Sequence, residues 1–182
     1  MKIITTEFKG LLVLEPRVFE DERGFFFESF NGITFKNAGL DFNFVQDNQS
    51  FSRKGVLRGL HFQKSPFAQT KLVRVLSGVI QDVVVDLRKD QPTFKKYFSV
   101  ELSSENKKQF LVPKGFAHGF LVLSETATVL YKCDEYYHPE AESGIAFNDS
   151  ELAIPWQILE SDATVARKDK MLPSLSELVL SF

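Results

Sequence analysis

Short apolar runs separated by turn residues recur along most of this chain of 182 residues. Glycine, proline, asparagine and aspartate break the sequence into segments of strand length, with little helical periodicity between them. Strands that recur every 8–12 residues or so are typical of β-sandwiches and β-barrels. The sequence therefore predicts an all-β fold with strands at residues 11–14, 24–30, 56–63, 71–76, 79–87, 94–102, 109–112, 119–123 and 126–133.

Two segments are predicted to be helical. The first covers residues 30–39 and ends at a glycine, and the second covers residues 161–170, with Ser161 as its N-cap. Ser77 and Gly78 separate two predicted strands, and this dipeptide favours a hairpin turn.

The composition restricts the class of protein. Lysine and arginine number 22 against 24 aspartates and glutamates, and the net charge of −2 argues against a nucleic-acid or membrane surface. The single cysteine, Cys133, excludes an internal disulfide and fits a reducing compartment. The first residues lack the apolar stretch of a signal peptide, so we expect a cytoplasmic protein. We expect one domain over residues 1–182.

Two of the three histidines, His61 and His118, lie in glycine-flanked apolar segments. Arg58 precedes His61 by three residues, and a side chain that titrates near neutral pH beside a cation indicates proton chemistry on an anionic ligand. Because side chains alternate along a strand, Arg58 and His61 reach one pocket only if a bulge intervenes. We place that bulge at Gly59.

Alternation also assigns a face to two other polar side chains. Tyr131 shares its face with Val129 and Cys133, so it is predicted to point inward. Lys71 shares its face with Val73. A lysine on an inward apolar face requires an explanation, because burying an unpaired ammonium group is unfavourable.

Eight ordered blocks of sequence carry a resemblance to a known family, and they are residues 19–28, 44–50, 55–63, 71–75, 78–88, 113–120, 131–132 and 136–139. Together they resemble the dTDP-4-dehydrorhamnose 3,5-epimerase family. The resemblance implies a cupin-type jelly roll, the double-stranded β-helix, with a few short helices. It also implies a homodimer in which the N-terminal segment of each chain reaches toward the partner's site.

The resemblance further implies the substrate dTDP-4-dehydro-6-deoxy-D-glucose, whose C4 ketone acidifies the hydrogens at C3 and C5. The family inverts both centres through an enolate and yields dTDP-4-dehydro-L-rhamnose for dTDP-L-rhamnose biosynthesis, with neither a cofactor nor a metal. The resemblance implies that His61 is the base and that Asp169 is the carboxylate that supports it. It also implies that Lys71 stabilises the enolate and that Tyr131 is the acid.

The resemblance also implies two kinds of substrate-binding residue. Cationic residues are expected to bind phosphate or sugar groups, and polar or aromatic residues are expected to contact the base, the sugar and the ketone. The cations are Arg23, Arg58 and Lys168. The other contact positions are Glu28, Gln46, Asn48, His118 and Tyr137. For each polar residue, ordinary turn or network hydrogen bonding is the alternative without function.

Three alternative functions remain open. A related enzyme would epimerise only C3 or C5, or would move the ketone, although Tyr131 favours the double epimerase. A metal-dependent cupin would use His61, His118 and a glutamate, but metal cupins usually carry a His-x-His pair, and Gly59 and Gln63 flank His61 at those spacings. A non-enzymatic jelly roll would bind a sugar or nucleotide without exchanging its hydrogens.

Overall fold

Two β-sheets packed face to face form the framework of residues 1–178, the part of the chain that the computed structural model describes. The strands in chain order are β1 (Lys2–Thr5), β2 (Leu12–Glu15), β3 (Phe19–Asp21), β4 (Gly24–Phe26), β5 (Gln46–Arg53), β6 (Val56–Gln63), β7 (Lys71–Ser77), β8 (Val79–Asp86), β9 (Tyr97–Ser103), β10 (Gln109–Val112), β11 (Phe116–Val122), β12 (Thr126–Cys133), β13 (Glu142–Gly144) and β14 (Thr164–Val165). The helices are α1 (Gly32–Asn37) and α2 (Arg167–Lys170), and single 3-10 turns lie at Pro139–Ala141, Glu160–Asp162 and Leu175–Glu177. The predicted all-β jelly roll of cupin type is confirmed.

The two sheets draw their neighbouring strands from distant parts of the chain. Sheet 1 has the order β1-β2-β10-β7-β12-β5, and sheet 2 has the order β13-β6-β11-β8-β9. β14 extends sheet 2 by pairing in parallel with β6, whereas β6 and β11 pair antiparallel. β3 and β4 form a separate antiparallel hairpin.

An apolar core fills part of the space between the sheets. Val129 of β12 is fully buried, as its inward position predicts, and it belongs to one cluster with Phe110 of β10 and Val84 of β8. Each such large side chain contributes about 1.5–3 kcal/mol when it leaves water. Val56 and Tyr131 pack against the edge of this cluster, which therefore forms the floor of a cavity between the sheets.

The outer face of sheet 2 is covered by the chain that follows β12. Leu60 and Phe62 of β6 pack there in one cluster with Ile145 and Leu175. Because both faces of sheet 2 are covered, β8 is almost continuously buried instead of alternating between core and solvent. The C-terminal segment is thereby held against β6, the strand that carries His61.

The prediction of a hairpin at Ser77 and Gly78 is wrong, because β7 lies in sheet 1 and β8 lies in sheet 2. The dipeptide instead forms the corner at which the chain passes from one sheet to the other. Gly78 has a φ of 83°, and a Cβ at this position would overlap the backbone oxygen of Thr126. Only glycine fits this corner without displacing β12.

The predicted helix over residues 161–170 is wrong for residues 161–166, and only residues 167–170 are α-helical. A 3-10 turn, strand β14 and the four-residue helix α2 occupy this region, and the N-cap of α2 is Ala166, not Ser161. Thr164 and Val165 pair with β6, so tertiary strand pairing overrides the local helical pattern. The other predicted helix exists as α1, although it begins after Asn31. Within residues 1–178, no helix has the length and apolar character needed to cross a membrane.

β5 was not predicted, because its sequence contains few apolar residues. It pairs along its whole length with β12, and it forms the edge of sheet 1. Its inward positions are polar because they face the cavity instead of the apolar core, as the positions of Asn48 and Ser50 show.

We predict that Gly78→Ala destabilises the protein more than Gly39→Ala does. Both glycines have φ close to 80°, where alanine is strained by roughly 1–2 kcal/mol. Only Gly78 adds a steric overlap, since a Cβ on Gly39 meets nothing within 4 Å. Urea unfolding of the two variants measures the difference, and equal losses of stability would contradict the packing described for this corner.

Candidate active site

A bulge in β6 places Arg58 and His61 on the same face of the strand. His61 lies opposite His118 and Arg58 lies opposite Phe120, so three steps along β6 match two steps along β11. Gly59 lies within the extra step with a φ of 120°, and a Cβ there would lie 2.8 Å from the backbone oxygen of His118. The bulge predicted at Gly59 is confirmed, and glycine permits the close approach of the two strands.

The Asp169 carboxylate joins the C-terminal segment to this bulge. Its Oδ1 lies 2.9 Å from His61 Nε2, and its Oδ2 accepts a hydrogen bond of 3.2 Å from the backbone N–H of Gly59. Asp169 is only 2% exposed and belongs to α2. Since a carboxylate accepts hydrogen bonds, the His61 ring carries its proton on Nε2 and leaves Nδ1 free to act as a base.

The His61 imidazole is held in its neutral form. Burial lowers its pKa below the ordinary value, and this effect outweighs the opposing influence of Asp169. Lys71 and Lys168 contribute to the lower pKa by repulsion. A neutral imidazole at neutral pH is ready to accept a proton.

Lys71 and Tyr131 lie on neighbouring strands of sheet 1 and line the same cavity as His61 of sheet 2. Lys71 Nζ lies 5.9 Å from the centre of the Tyr131 ring. Burial raises the pKa of the Tyr131 phenol, so it remains protonated at neutral pH. Burial lowers the pKa of Lys71, while the negative charges of neighbours such as Asp82 and Glu142 oppose this effect.

A second histidine–aspartate pair lies beside the first. His118 Nε2 is 2.9 Å from Asp82 Oδ1 and 3.0 Å from Asp82 Oδ2, and the aspartate is fully buried. Burial raises the pKa of Asp82, and His118 and Lys71 counteract this effect. Asp82 was not predicted, although an aspartate in the middle of an apolar strand was a usable signal.

One cavity of about 510 Å³ lies between the sheets. Of the predicted site residues, the cavity is lined by His61, Lys71, Tyr131, Asp169, Arg58, His118, Tyr137 and Lys168. A neighbouring cavity of about 210 Å³ shares several of these residues and adds Gln46 and Asn48. The fold therefore brings together ten of the twelve predicted positions.

Hydrogen bonds among polar side chains shape the wall and rim of the cavity. The Tyr137 hydroxyl donates a hydrogen bond of 2.8 Å to Glu142, which also pairs with Lys168 at 3.3 Å. Burial raises the pKa of Glu142, but the bonds from Tyr137 and Lys168 outweigh it and the net pKa is lowered. Glu142 was not predicted, because nothing in its local sequence distinguishes it. Gln46 donates to Asn48 at 3.1 Å.

Comparison with known proteins shows the family. A sequence model described as dTDP-4-dehydrorhamnose 3,5-epimerase matches residues 5–177. The protein of that name from Escherichia coli strain K12 is 51% identical over 180 residues, which cover 98% of this chain and 97% of the relative. The chain belongs to the dTDP-4-dehydrorhamnose 3,5-epimerase family. This membership makes it an isomerase, as the sequence predicted.

Two crystal structures of epimerases share the fold. The dTDP-6-deoxy-D-glucose-3,5-epimerase of Legionella pneumophila, in complex with dTDP-4-keto-L-rhamnose, has a TM-score of 0.93 and 49% identity, covering 98% of this chain and 94% of that one. A 3'-monoepimerase from Streptomyces bikiniensis, in complex with dTDP-quinovose, has a TM-score of 0.84 and 32% identity, covering 92% and 84% of the two chains. The fold is therefore common to double and single epimerases.

The two predicted positions of this epimerase that lie outside both cavities are Arg23 and Glu28. Arg23 lies at the turn between β3 and β4, where its side chain is 84% exposed and pairs with Asp21 at 2.6 Å. Glu28 accepts hydrogen bonds from Asn31 and Thr34 at the start of α1. A single copy of the chain does not bring these two residues to the site.

The alternative of a metal-dependent cupin requires His61, His118 and a carboxylate to converge on one point. Each histidine instead pairs with an aspartate of its own. Within the part of the chain that the structure describes, no three His, Cys, Asp or Glu side chains are arranged to hold a metal ion.

We predict that His61 titrates below the ordinary histidine value of about 6.5 in the free protein. Asp169→Asn should lower this pKa further, because the carboxylate stabilises the imidazolium. Lys168→Gln should raise it, because the repulsion between Lys168 and the imidazolium is removed. NMR titration of the histidine ring protons measures all three values. A wild-type midpoint above 6.5, or shifts of the same sign in both variants, would contradict this electrostatic description.

Proposed function

We propose that the protein inverts C3 and C5 of dTDP-4-dehydro-6-deoxy-D-glucose to give dTDP-4-dehydro-L-rhamnose, in the synthesis of dTDP-L-rhamnose. The observation that carries this proposal is one cavity lined by a neutral histidine from sheet 2 and by a lysine and a protonated tyrosine from sheet 1. A base and an acid on opposite walls are what inversion at a carbon centre requires.

In the proposed reaction His61 takes a proton from the carbon next to the C4 ketone, and the bonding pair moves to form the enolate. Lys71 stabilises the negative charge on the enolate oxygen. Tyr131 then delivers its phenolic proton to the other face of the same carbon, and exchange with solvent restores His61 and Tyr131 before the second centre reacts. Each step is a proton transfer, so the reaction consumes no oxidant or reductant.

The magnitudes fit these roles. A fixed donor aimed at a developing oxyanion contributes roughly 3–4 kcal/mol, which is the scale we assign to Lys71. A positioned general base or acid contributes about 10²–10⁴ in rate. Asp169 acts through His61, since it fixes the ring and its tautomer.

The remaining cavity residues bind the nucleotide sugar in this proposal. Arg58 is held by a hydrogen bond of 3.1 Å to Ser52 Oγ and suits the diphosphate, as does Lys168 at the rim. Tyr137, with Gln46 and Asn48 beside it, suits the nucleoside and hexose. For His118, held by Asp82, we propose a contact with the ketone oxygen.

We also propose a homodimer in which the β3–β4 hairpin of one chain completes the partner's site. The proposal accounts for the position of Arg23 and Glu28 away from the cavity of their own chain. It also accounts for the exposure of Phe19, Phe25 and Phe26 on the hairpin, which are 51%, 59% and 69% exposed. Apolar surface of this kind marks an interface. A single domain over residues 1–182 and a cytoplasmic location stay predictions.

A single-centre epimerase is the second candidate, because the 3'-monoepimerase with 32% identity has the same fold. The two functions differ in the number of carbon-bound hydrogens exchanged, which the following experiment counts.

We predict that the wild-type protein, incubated with the 4-keto sugar nucleotide in D₂O, incorporates deuterium at both C3 and C5. His61→Ala should reduce the exchange by about 10²–10⁴, because the base is removed. Tyr131→Phe should slow product formation, whereas Tyr136→Phe, an exposed tyrosine outside both cavities, should not. NMR and mass spectrometry follow the label. Exchange at a single carbon would establish the second candidate, and wild-type exchange in His61→Ala would remove His61 from its role.

We predict that Arg23→Ala and His61→Ala complement each other when the two chains are co-expressed. Each variant alone should be impaired, because every site then lacks one of the two groups. A mixed dimer has one site with His61 from the first chain and Arg23 from the second, so the mixture should recover about a quarter of wild-type activity. The matched pair His61→Ala with Asp169→Asn should recover none, since both residues belong to the same chain's cavity. No recovery in the first mixture would refute the exchange of N-terminal segments.

A further inference from the structure

Ser50 lies in the wall of the proposed hexose site, and its hydroxyl is buried without a partner. The residue lines the larger cavity, and within residues 1–178 its Oγ has no hydrogen-bond partner. Buried polar groups in folded proteins are nearly always hydrogen-bonded, because an unpaired group loses its bonds to water without replacement. Within residues 1–178 Gln109 Oε1 is the other such atom, but Gln109 lines neither cavity, so the unpaired hydroxyl in the cavity wall requires its own explanation.

The other polar side chains on the inward face of β5 are paired. Ser52 accepts a hydrogen bond from Arg58, and Asn48 accepts one from Gln46. Ser50 lies between Asn48 and Ser52 on the same face and remains unpaired, so the lack of a partner is specific to this position.

The surroundings of Ser50 indicate which part of the substrate it meets. It lies opposite Val129 of β12, two residues before Tyr131 on that strand. Val56 and Phe120 line the same cavity and belong to the apolar cluster at its floor or pack against it. An apolar floor beside Tyr131 suits a sugar ring better than a diphosphate group, which requires cations.

We propose that the Ser50 side chain turns toward the cavity, where its hydroxyl forms a hydrogen bond with a hydroxyl of the hexose ring and aligns the ring with Tyr131. The inference rests on the proposed function and adds a positioning residue to it. Lys71 Nζ and Tyr131 Oη also form no hydrogen bond within residues 1–178, and both are assigned to the reacting atoms. Ser50 is a third polar residue of this cavity whose side chain has no partner, and it differs from the other two because its oxygen is buried.

Ser50→Ala and Ser50→Cys test the proposal, the cysteine because it keeps the branching of the side chain with a somewhat larger atom, while its thiol is a weak donor. Both variants should lower kcat/KM for the 4-keto sugar nucleotide about tenfold. The loss should appear in kcat as well as in KM, because a ring that shifts is misaligned with Tyr131. Affinity for dTDP alone should not change. The thermal midpoint of the free Ser50→Ala protein should stay the same or rise, because an unpaired buried hydroxyl has been removed.

Ser143→Ala, a half-buried strand serine outside both cavities, is the matched control and should leave kcat/KM unchanged. If Ser50→Ala keeps the wild-type kcat/KM, this inference is overturned and the proposed function still stands. A loss of dTDP affinity as large as the loss of kcat/KM would also overturn it, because the contact would then be with the nucleotide. A lower thermal midpoint of Ser50→Ala that accounts for the lost activity would overturn it too. A wild-type protein that exchanges neither hydrogen would overturn the proposed function together with this inference.

Discussion

The geometry of the site depends on the Asp169 carboxylate, which binds two groups of β6 at once. One oxygen holds the His61 ring, and the other holds the backbone N–H of Gly59 in the bulge. The bulge turns His61 and Arg58 to the same side of the strand, and the hydrogen bond fixes the ring in the tautomer that a base needs. Asp169 reaches this position because β14 pairs with β6 and because the C-terminal segment packs on the outer face of sheet 2.

Burial in the cavity adjusts the proton affinities of the facing groups in directions that serve the proposed reaction. It lowers the pKa of His61, which keeps the base unprotonated, and it raises the pKa of Tyr131, which keeps the acid protonated. Both groups are therefore in their working states at neutral pH without any change of conformation. The Ser50 hydroxyl in the wall of the same cavity is buried as well, and it has no partner within residues 1–178.

The sequence predicted the architecture wherever side chains alternate between an apolar core and solvent, as in β12. It did not predict β5, whose inward face is polar because it faces a cavity, and it placed a helix at Thr164 where pairing with β6 determines the structure. The bulge at Gly59 followed from the need to bring Arg58 and His61 into one pocket, and the structure confirms it. Glu142 and Ser50 could not be found this way, because their place in the site arises from contacts between strands distant in sequence.

The central claim is that a hexose lies between a neutral His61 and a protonated Tyr131. Neutron diffraction of the protein with dTDP-glucose, which lacks the reactive ketone, tests it most directly. The account predicts the sugar ring between His61 Nδ1 and Tyr131 Oη, one proton on His61 at Nε2 directed at Asp169, and a protonated phenol. A doubly protonated His61, an ionised Tyr131, or a hexose bound away from these two residues would contradict the account.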